Sequence, residues 1–516
     1  MAGHVFVVKG DLTRIACDAW LLPCGPDTRP EPDWLHTTPG ADRVRFPEAD
    51  ADWRREKRRA LEVDTWPEDS SRPWVVNVGP DGERPIPWYV EGATEFLERA
   101  AVSVRGRAPR HGRARPLLAL PVVGTGRGGA RHAAGEVVRE LLPVLDRAAR
   151  THGADIALVT REDAAFAASQ AERRRATALD PWRELDERLR AEAERLGEHA
   201  ANSELVLFLG GGVARGAGLP LWNDMLDRLA DRAGMSERDR QALRALEPVD
   251  RARLIEKRLH GVRLGVAVAE MLRGYRHHSL SHALLAALPV EAVVTTNYDL
   301  LFEEASAAAG FPVRALPERP RREDRRWVLK MHGSVDAPDE IVLTREDYLR
   351  YEERRAALAG IVQALLITRH MLFVGFALRD PNFHRISGAV RKAFRPTDGE
   401  GRAERFGTSL VLLDDRLQRE LWEDDLHWTA MAASHDDETH AARRLEIFLD
   451  CVLAQTSSSS YLLHPAYATV LSDAERALAQ SLARFAQDVP ADARRAHAWT
   501  RVARLLGSLG SDADGL

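Results

Sequence analysis

Cysteine is nearly missing from this sequence of 516 residues: three occur, Cys17, Cys24 and Cys451. An odd count without Cys-x-x-Cys spacing excludes a disulfide framework and a tetrathiolate zinc site. Lysine is almost as scarce. Lys9, Lys57, Lys257, Lys330 and Lys392 are the full set, so five of the 73 basic residues are lysine and the rest arginine. Such a bias reflects codon usage more than phosphate binding. Excess positive charge is lacking too: Asp and Glu number 78 and the net charge is −5, so no global basic field draws nucleic acid. Long apolar runs are lacking as well. The richest, residues 357–378, is broken by Arg369-His370 and predicts a helix followed by a strand, not a membrane span. The opening Met-Ala-Gly-His-Val-Phe has no basic-then-apolar pattern of a signal peptide. These absences predict a cytoplasmic protein without membrane or direct nucleic-acid partners. What is present, 45% hydrophobic and 29% charged residues, suits a globular chain, and the length predicts two or three domains.

Along the first 170 residues strands alternate with helices, which predicts an α/β/α layered domain. Strands are expected at residues 4–8, 18–22, 74–80, 116–123 and 155–160, with helices at 86–104 and 131–151. The strand at 116–123 opens into Gly124-Thr-Gly-Arg-Gly-Gly129 ahead of a helix. Bare amides at a helix N-terminus have the form of an anion site. Three stretches resemble a macro domain: Gly10-Asp-Leu-Thr13 with Asp18-Ala19, Trp74-Val-Val-Asn-Val-Gly-Pro80, and Pro121-Val-Val-Gly-Thr-Gly126. The resemblance implies a domain over 1–170 that binds an ADP-ribose-type ligand, with Asp11 at the adenine end and Gly124, Thr125 and Gly126 at the phosphates. Leu22-Pro-Cys-Gly25 stands where many macro domains carry an Asn-Ala-Ala-Asn run. The asparagines that position the distal ribose for hydrolysis are missing, so the domain is expected to bind its ligand and not to hydrolyse it.

Residues 171–202 are charged, with Leu185, Leu189 and Leu196 at helical spacing, and predict a solvated helical linker. Glu204-Leu-Val-Leu-Phe-Leu-Gly210 then opens a second α/β unit. Its strand runs into Gly210-Gly-Gly-Val-Ala and Gly218-Leu-Pro220, and an amphipathic helix follows. Strand, glycine loop and helix is the layout of a dinucleotide site, although tight packing alone also demands glycines. A largely helical stretch over 236–288 leads to Val290-Glu-Ala-Val-Val-Thr-Thr-Asn-Tyr-Asp299, a β-branched strand that ends in polar side chains. Asn297 and Asp299 there either line a ligand site or cap the helix behind them. Trp327-Val-Leu-Lys-Met331 repeats the design with His332-Gly333 at its exit. His278 and His282 stand four apart without an intervening Glu, so packing and capping are expected of them, not metal ligation.

Four motifs in order resemble a bacterial sirtuin-like domain: the Gly210 loop with Pro220, Thr295-Thr-Asn-Tyr-Asp299, Lys330-Met-His-Gly-Ser334, and Phe373-Val-Gly-Phe-Ala-Leu-Arg-Asp380. The resemblance implies a Rossmann-like domain over 203–435, with a parallel sheet and a helical insertion, that takes NAD as its substrate and needs no metal. It implies that Gly210, Gly211 and Gly212 hold the pyrophosphate and that Gly375 approaches the adenosine half. Pro220, Asp299 and Asp380 complete the expected NAD-binding set. Asn297 and His332 are the expected catalytic pair beside the nicotinamide ribose. The cysteine pairs of a deacylase zinc ribbon are missing, and Leu221-Trp-Asn223 replaces the deacylases' Asp-Phe-Arg. Parts for binding an acyl-lysine peptide are therefore lost, while those for cleaving the nicotinamide glycosidic bond remain. Family members of this type are NAD hydrolases in antiphage defence, some sensing a cyclic ADP-ribose derivative, and homo-oligomers are expected among them.

Breaking that bond passes through an oxocarbenium-like state, which needs a fixed ribose, a polarised leaving group and little covalent help. An amide such as Asn297 can orient a ribose hydroxyl or water, and an imidazole such as His332 can accept the proton. The sequence therefore predicts an NAD hydrolase governed by a signal nucleotide on the macro-like domain. Two other readings stand beside it: a protein ADP-ribosyltransferase coupled to a macro-type reader, and a catalytically silent NAD or ADP-ribose sensor. Residues 436–516 predict a helical extension. The Ser457–Ser460 run within it is expected to be a linker, and the last seven residues a disordered tail.

Overall fold

A computed structural model describes residues 2–35, 44–67, 70–79, 84–126, 128–176, 180–319, 321, 324–393 and 405–511. Pro80 of the expected third strand and residues 512–516 of the expected tail lie outside these. The chain forms two compact units. One holds Met1–Arg110, Ala114–Glu184 and Thr456–Leu516, and the other His111–Arg113 and Leu185–Gln455.

The first unit is built on β1 (Val5–Lys9), β2 (Ala19–Cys24), β3 (Ala60–Glu62), β4 (Arg72–Asn77), β5 (Leu117–Pro121) and β6 (Asp155–Thr160). They lie in the order β1-β6-β5-β2-β4-β3, with only β3 antiparallel to its neighbour. Continuous apolar runs such as Val5–Val8 of β1, all buried, are what a parallel sheet covered on both faces requires. Helices Ile86–Val104, Ala134–His152 and Asp163–Arg175 supply cover. The edge strand β3 was not foreseen, since three residues carry no usable periodicity.

The C-terminal extension expected over 436–516 divides between the units. Helix Glu438–Gln455 belongs to the second and the chain from Thr456 to the first. Within the first unit Tyr461, Leu462, Tyr467, Val470 and Leu471 pack on an alanine face of helix Asp163–Arg175, made of Ala164, Ala165, Ala167, Ala168 and Ala171. Arg175 pairs with Glu475, whose other oxygen accepts the Tyr461 hydroxyl at 2.5 Å. Ser460 of the expected linker is buried.

The second unit is a seven-stranded parallel sheet: β7 (Leu205–Leu209), β8 (Ala292–Thr295), β9 (Val313–Leu316), β10 (Arg326–Lys330), β11 (His370–Val374), β12 (Gly407–Leu413) and β13 (Leu426–Ala432), in the order β13-β12-β11-β7-β8-β10-β9. The apolar stretch 357–378 falls in the later part of helix Tyr351–Thr368, then β11 and the loop after it. No helix among the described residues is long and apolar enough to cross a membrane. Five helices between β7 and β8 make the insertion. Their own core holds Met225, Leu226, Leu229, Ile255, Leu264 and Val268.

One side chain ties the insertion to the sheet. Arg326, buried at the start of β10, donates to the carbonyls of Ala286 (2.7 Å), Leu288 (2.5 Å) and Val290 (2.9 Å) and to Ser306 Oγ (2.7 Å). It thereby closes helix Leu280–Ala287 and fixes the entry to β8. The linker expected over 171–202 needs correction. Its helix, Glu187–Ala201, buries Leu189, Ala193 and Leu196 and is packed along helix Glu438–Gln455, so its charge alternation marks only one face.

Candidate active site

The second sheet reverses direction at β7. From there the chain goes first to β8, β9 and β10 on one side, then crosses to β11, β12 and β13 on the other. The switch lies between β7 and β11, and such switch points are where open α/β sheets form ligand crevices. The loop after β7 is a 3₁₀ turn, Gly211–Ala217, and it touches the loop after β11 backbone to backbone. Gly210 N–H donates to the Val374 carbonyl and Gly212 N–H to the Gly375 carbonyl, each at 3.0 Å. A methyl on Gly210 would meet the Gly375 carbonyl and lie 2.6 Å from Phe376 Cα, and one on Gly212 would lie 2.8 Å from Gly375 Cα. Gly375 itself has φ +64°. Three of the expected pyrophosphate and adenosine glycines are thus demanded by the crossing of two loops. Gly211 differs: it is exposed, and nothing in the protein lies within 4 Å of where its Cβ would be. Pro220 is half-buried just ahead of helix Trp222–Arg232.

Asn297 follows β8, held in place by Thr295. The Thr295 hydroxyl donates to the Leu209 carbonyl and accepts the Asn297 N–H, both at 3.0 Å. Asn297 Nδ2 donates to the Gly210 carbonyl at 3.2 Å. Because that partner is a pure acceptor, the amide orientation is settled and Oδ1 points away from it. Asp299 plays the bland part foreseen for it: buried, its Oδ1 accepts the Leu301 N–H at 3.0 Å where helix Leu301–Ala308 begins. Burial raises its carboxyl above the usual carboxylate value, partly countered by Lys330. Lys330, also buried, donates to the Asp299 carbonyl and to Glu303 at 2.8 Å, pinning this turn to the end of β10.

His332 leaves β10 and is buried, with Nε2 3.2 Å from Asp380 Oδ2. Tyr348 and Tyr351 present edge-on ring contacts to it, with centroids 5.5 and 6.4 Å away. The Tyr348 hydroxyl donates to Asp380 Oδ2 at 3.2 Å, and Asp380 Oδ1 accepts the Phe383 N–H at 2.9 Å, at the start of helix Pro381–Ala393. Burial works to raise the Asp380 carboxyl, but His332 and these donors bring it below the usual value. Burial pushes the Tyr351 phenol up to about 12 and that of Tyr348 higher, so both remain hydrogen donors. The loops after β8 and β10 are joined by Tyr298, whose carbonyl accepts the Val335 N–H and whose hydroxyl donates to the Val342 carbonyl, each at 2.9 Å. Tyr298, Tyr348, Tyr351 and Lys330 were not singled out as site residues. A pair of tyrosines three apart in a chain with seven was the available signal.

Ser279 and His282 support the glycine loop from the insertion. Ser279 Oγ donates to the Val213 carbonyl at 2.9 Å, and the two residues form a capping box for helix Leu280–Ala287. Burial lowers His282 to about 3, so it stays neutral as the box requires.

The first unit has a separate cleft of about 450 Å³ at its own reversal, between the ends of β2 and β5. Cys24, Gly25, Gly124, Thr125, Gly126 and Arg161 are among its walls. Gly124, at φ +78°, has the Tyr89 ring where a side chain would go, whereas Gly126 faces open space. Thr125 Oγ1 donates back to the Val122 carbonyl at 2.8 Å. Asp11, at the expected adenine end, has its carboxylate engaged by Thr13 N–H (3.0 Å), Thr13 Oγ1 (2.7 Å) and Arg161 (2.8 Å). Burial alone would raise it, but Arg161 and Thr13 hold it below the usual value.

A profile described as a SIR2-like domain matches residues 291–427. The NAD(+) hydrolase ThsA of Bacillus cereus (strain MSX-D12) is 28% identical over 221 residues, 42% of this chain and 44% of its own. That of Enterococcus faecium is 27% identical over 218 residues, 39% and 43% respectively. Defense-associated sirtuin 2 of Bacillus subtilis is 24% identical over 209 residues, 39% of this chain and 20% of its own. The chain thus spans less than half the length of these curated relatives. A solved structure, alphavirus P23pro-zbd, matches over 64% of this chain and 46% of its own at 11% identity and a TM-score of 0.23, too slight a likeness to argue from. Asn297 and His332, set at the carboxyl ends of one parallel sheet, both fall within the residues of the second unit that match the SIR2-like domain.

Proposed function

We propose that this chain hydrolyses NAD to nicotinamide and ADP-ribose, as a NAD-depleting effector of antiphage defence. The observation that carries the reading is Asn297. Its amide is clamped through Nδ2 to the loop that crosses the switch point, so Oδ1 is presented as a fixed acceptor. Exposed Gly211, whose missing side chain no packing explains, supports approach of a pyrophosphate there. In the proposed reaction the water oxygen bonds to the ribose C1′. The glycosidic C–N bond breaks with its electron pair going to the nicotinamide nitrogen. His332 takes the water proton and Asn297 orients the ribose or the water. The names of the relatives, NAD(+) hydrolases and a defence-associated sirtuin, favour the same chemistry.

The macro-like cleft of the first unit is proposed to hold an ADP-ribose-type signal nucleotide that raises this activity. Its size suits a nucleotide, and Leu22-Pro-Cys-Gly25 supplies no ribose-positioning amide for hydrolysis. Regulation requires the ligand to prefer the active arrangement, since equal affinity for both states shifts nothing. Purified protein incubated with NAD, with and without ADP-ribose-type nucleotides, is expected to release nicotinamide, faster with the nucleotide. Asn297→Ala is expected to lower the rate by about a hundredfold or more. No release under any condition, or equal release by the variant, would sink the proposal. Label transferred to protein would indicate a transferase, and tight NAD binding without turnover a sensor.

A further inference from the structure

Asp380, expected in the NAD-binding set, has both carboxylate oxygens engaged by protein groups. Its side chain is 8% exposed. One oxygen caps helix Pro381–Ala393 through the Phe383 N–H. The other faces both the Tyr348 hydroxyl and His332 Nε2, at 3.2 Å each. We infer that Asp380 is a positioning residue for His332, holding the imidazole as its Nε2–H tautomer, with Tyr348 sharing the same carboxylate oxygen.

The physical case has three parts. A carboxylate capping a helix N-terminus is stabilised as the anion, and an anion beside one ring nitrogen selects the tautomer that carries its proton there. Nδ1 is then the unprotonated nitrogen and the one able to accept a proton. The His332–Asp380 contact, at 3.2 Å, is short enough for an ion pair but lacks the geometry of a straight hydrogen bond. Such catalytic contacts often straighten only in the substrate complex, when the ring turns toward its target. Tyr348 and Tyr351 confine that turn to a small arc by standing edge-on to the imidazole. Tyr348 also competes for the carboxylate, so its hydroxyl moderates how strongly Asp380 holds a protonated His332.

This inference rests on the NAD-hydrolase reading, and the test separates the two. The pH dependence of nicotinamide release is measured for the full chain and for D380N, Y348F and H332A. Asp380→Asn keeps an oxygen for the Phe383 cap but removes the charge. Its kcat is expected to fall by at least about tenfold, with KM for NAD little changed. Its acidic limb should move to lower pH, because a neutral neighbour no longer favours the protonated ring. Tyr348→Phe keeps the ring and frees the carboxylate oxygen, so its limb should move the opposite way, to higher pH. A merely structural role would not displace the limb in two directions. The inference is overturned if H332A abolishes turnover while neither limb moves. Should D380N fail to fold, the limb of Y348F decides alone: an upward shift supports the pairing, an unmoved one overturns it. Full activity in H332A would overturn the hydrolase roles themselves.

Discussion

A methyl group distinguishes the glycines of the β7 loop from one another. At Gly210 it would strike the backbone of Gly375 and Phe376, and neither can move aside without separating the two loops. Gly210→Ala is therefore expected to lose about 1–3 kcal/mol of stability, read as a lower melting temperature. At Gly211 the same methyl meets nothing within 4 Å. Gly211→Ala should melt like the unmodified protein, so any rise in its KM for NAD reports contact with substrate; an unchanged KM would remove Gly211 from the site. The motif was legible in the sequence because glycines cluster there, but its reason was not. Spacing cannot tell a glycine facing a pyrophosphate from one facing another backbone. Asn297 was legible as a polar residue ending a β-branched strand, whereas its partner, a carbonyl 87 positions earlier, depends on sheet order.

At the scale of elements, the interior strands announced themselves by unbroken apolar and β-branched runs, and β6 spans the expected 155–160. The edge strands β9 and β13 did not. Val313–Leu316 is half-buried throughout, and Leu426–Ala432 interleaves His427 and Trp428 with apolar residues, so neither shows a clean period. Arg326 could not be foreseen as a keystone, because an arginine in a charged run that leads into a strand is ordinarily solvated. Arg326→Met is expected to leave the Ala286, Leu288 and Val290 carbonyls without their donor and to cost about 3–5 kcal/mol. Denaturant unfolding would check it, and a loss below about 1 kcal/mol would contradict the role. Glu475 gives an acid-sensitive element. Burial opposes its ionisation, yet Tyr461, Ser472 and Arg175 hold it at about 2 against an ordinary 4.5. Its folded value is depressed, so its contribution is complete above pH 4.5 and is lost as pH falls toward 2. Amide protection factors in helix Asp473–Asp488, corrected for the intrinsic exchange rate, should fall across that window, and those of Glu475→Gln should be lower at neutral pH and show less of this acid dependence.

For the molecule as a whole, the chain holds two units, each built on a sheet whose strand order reverses once. Both sheets were legible from alternating strands and helices. The assignment of residues 456–511 to the first unit was not, since the alanine face they cover on helix Asp163–Arg175 carries no pattern that names a partner. Residues 185–455 of the second unit separate the segment of the first unit that begins at Thr456 from the segments that precede it in the chain. Residues 185–455 can complete their sheet while the first unit still lacks its C-terminal helices. A nascent chain of this design would assemble the second unit before the first is finished. The order of synthesis thus places the proposed enzyme ahead of the unit proposed to bind its activating nucleotide, so a newly made molecule can answer that signal only after the first unit closes.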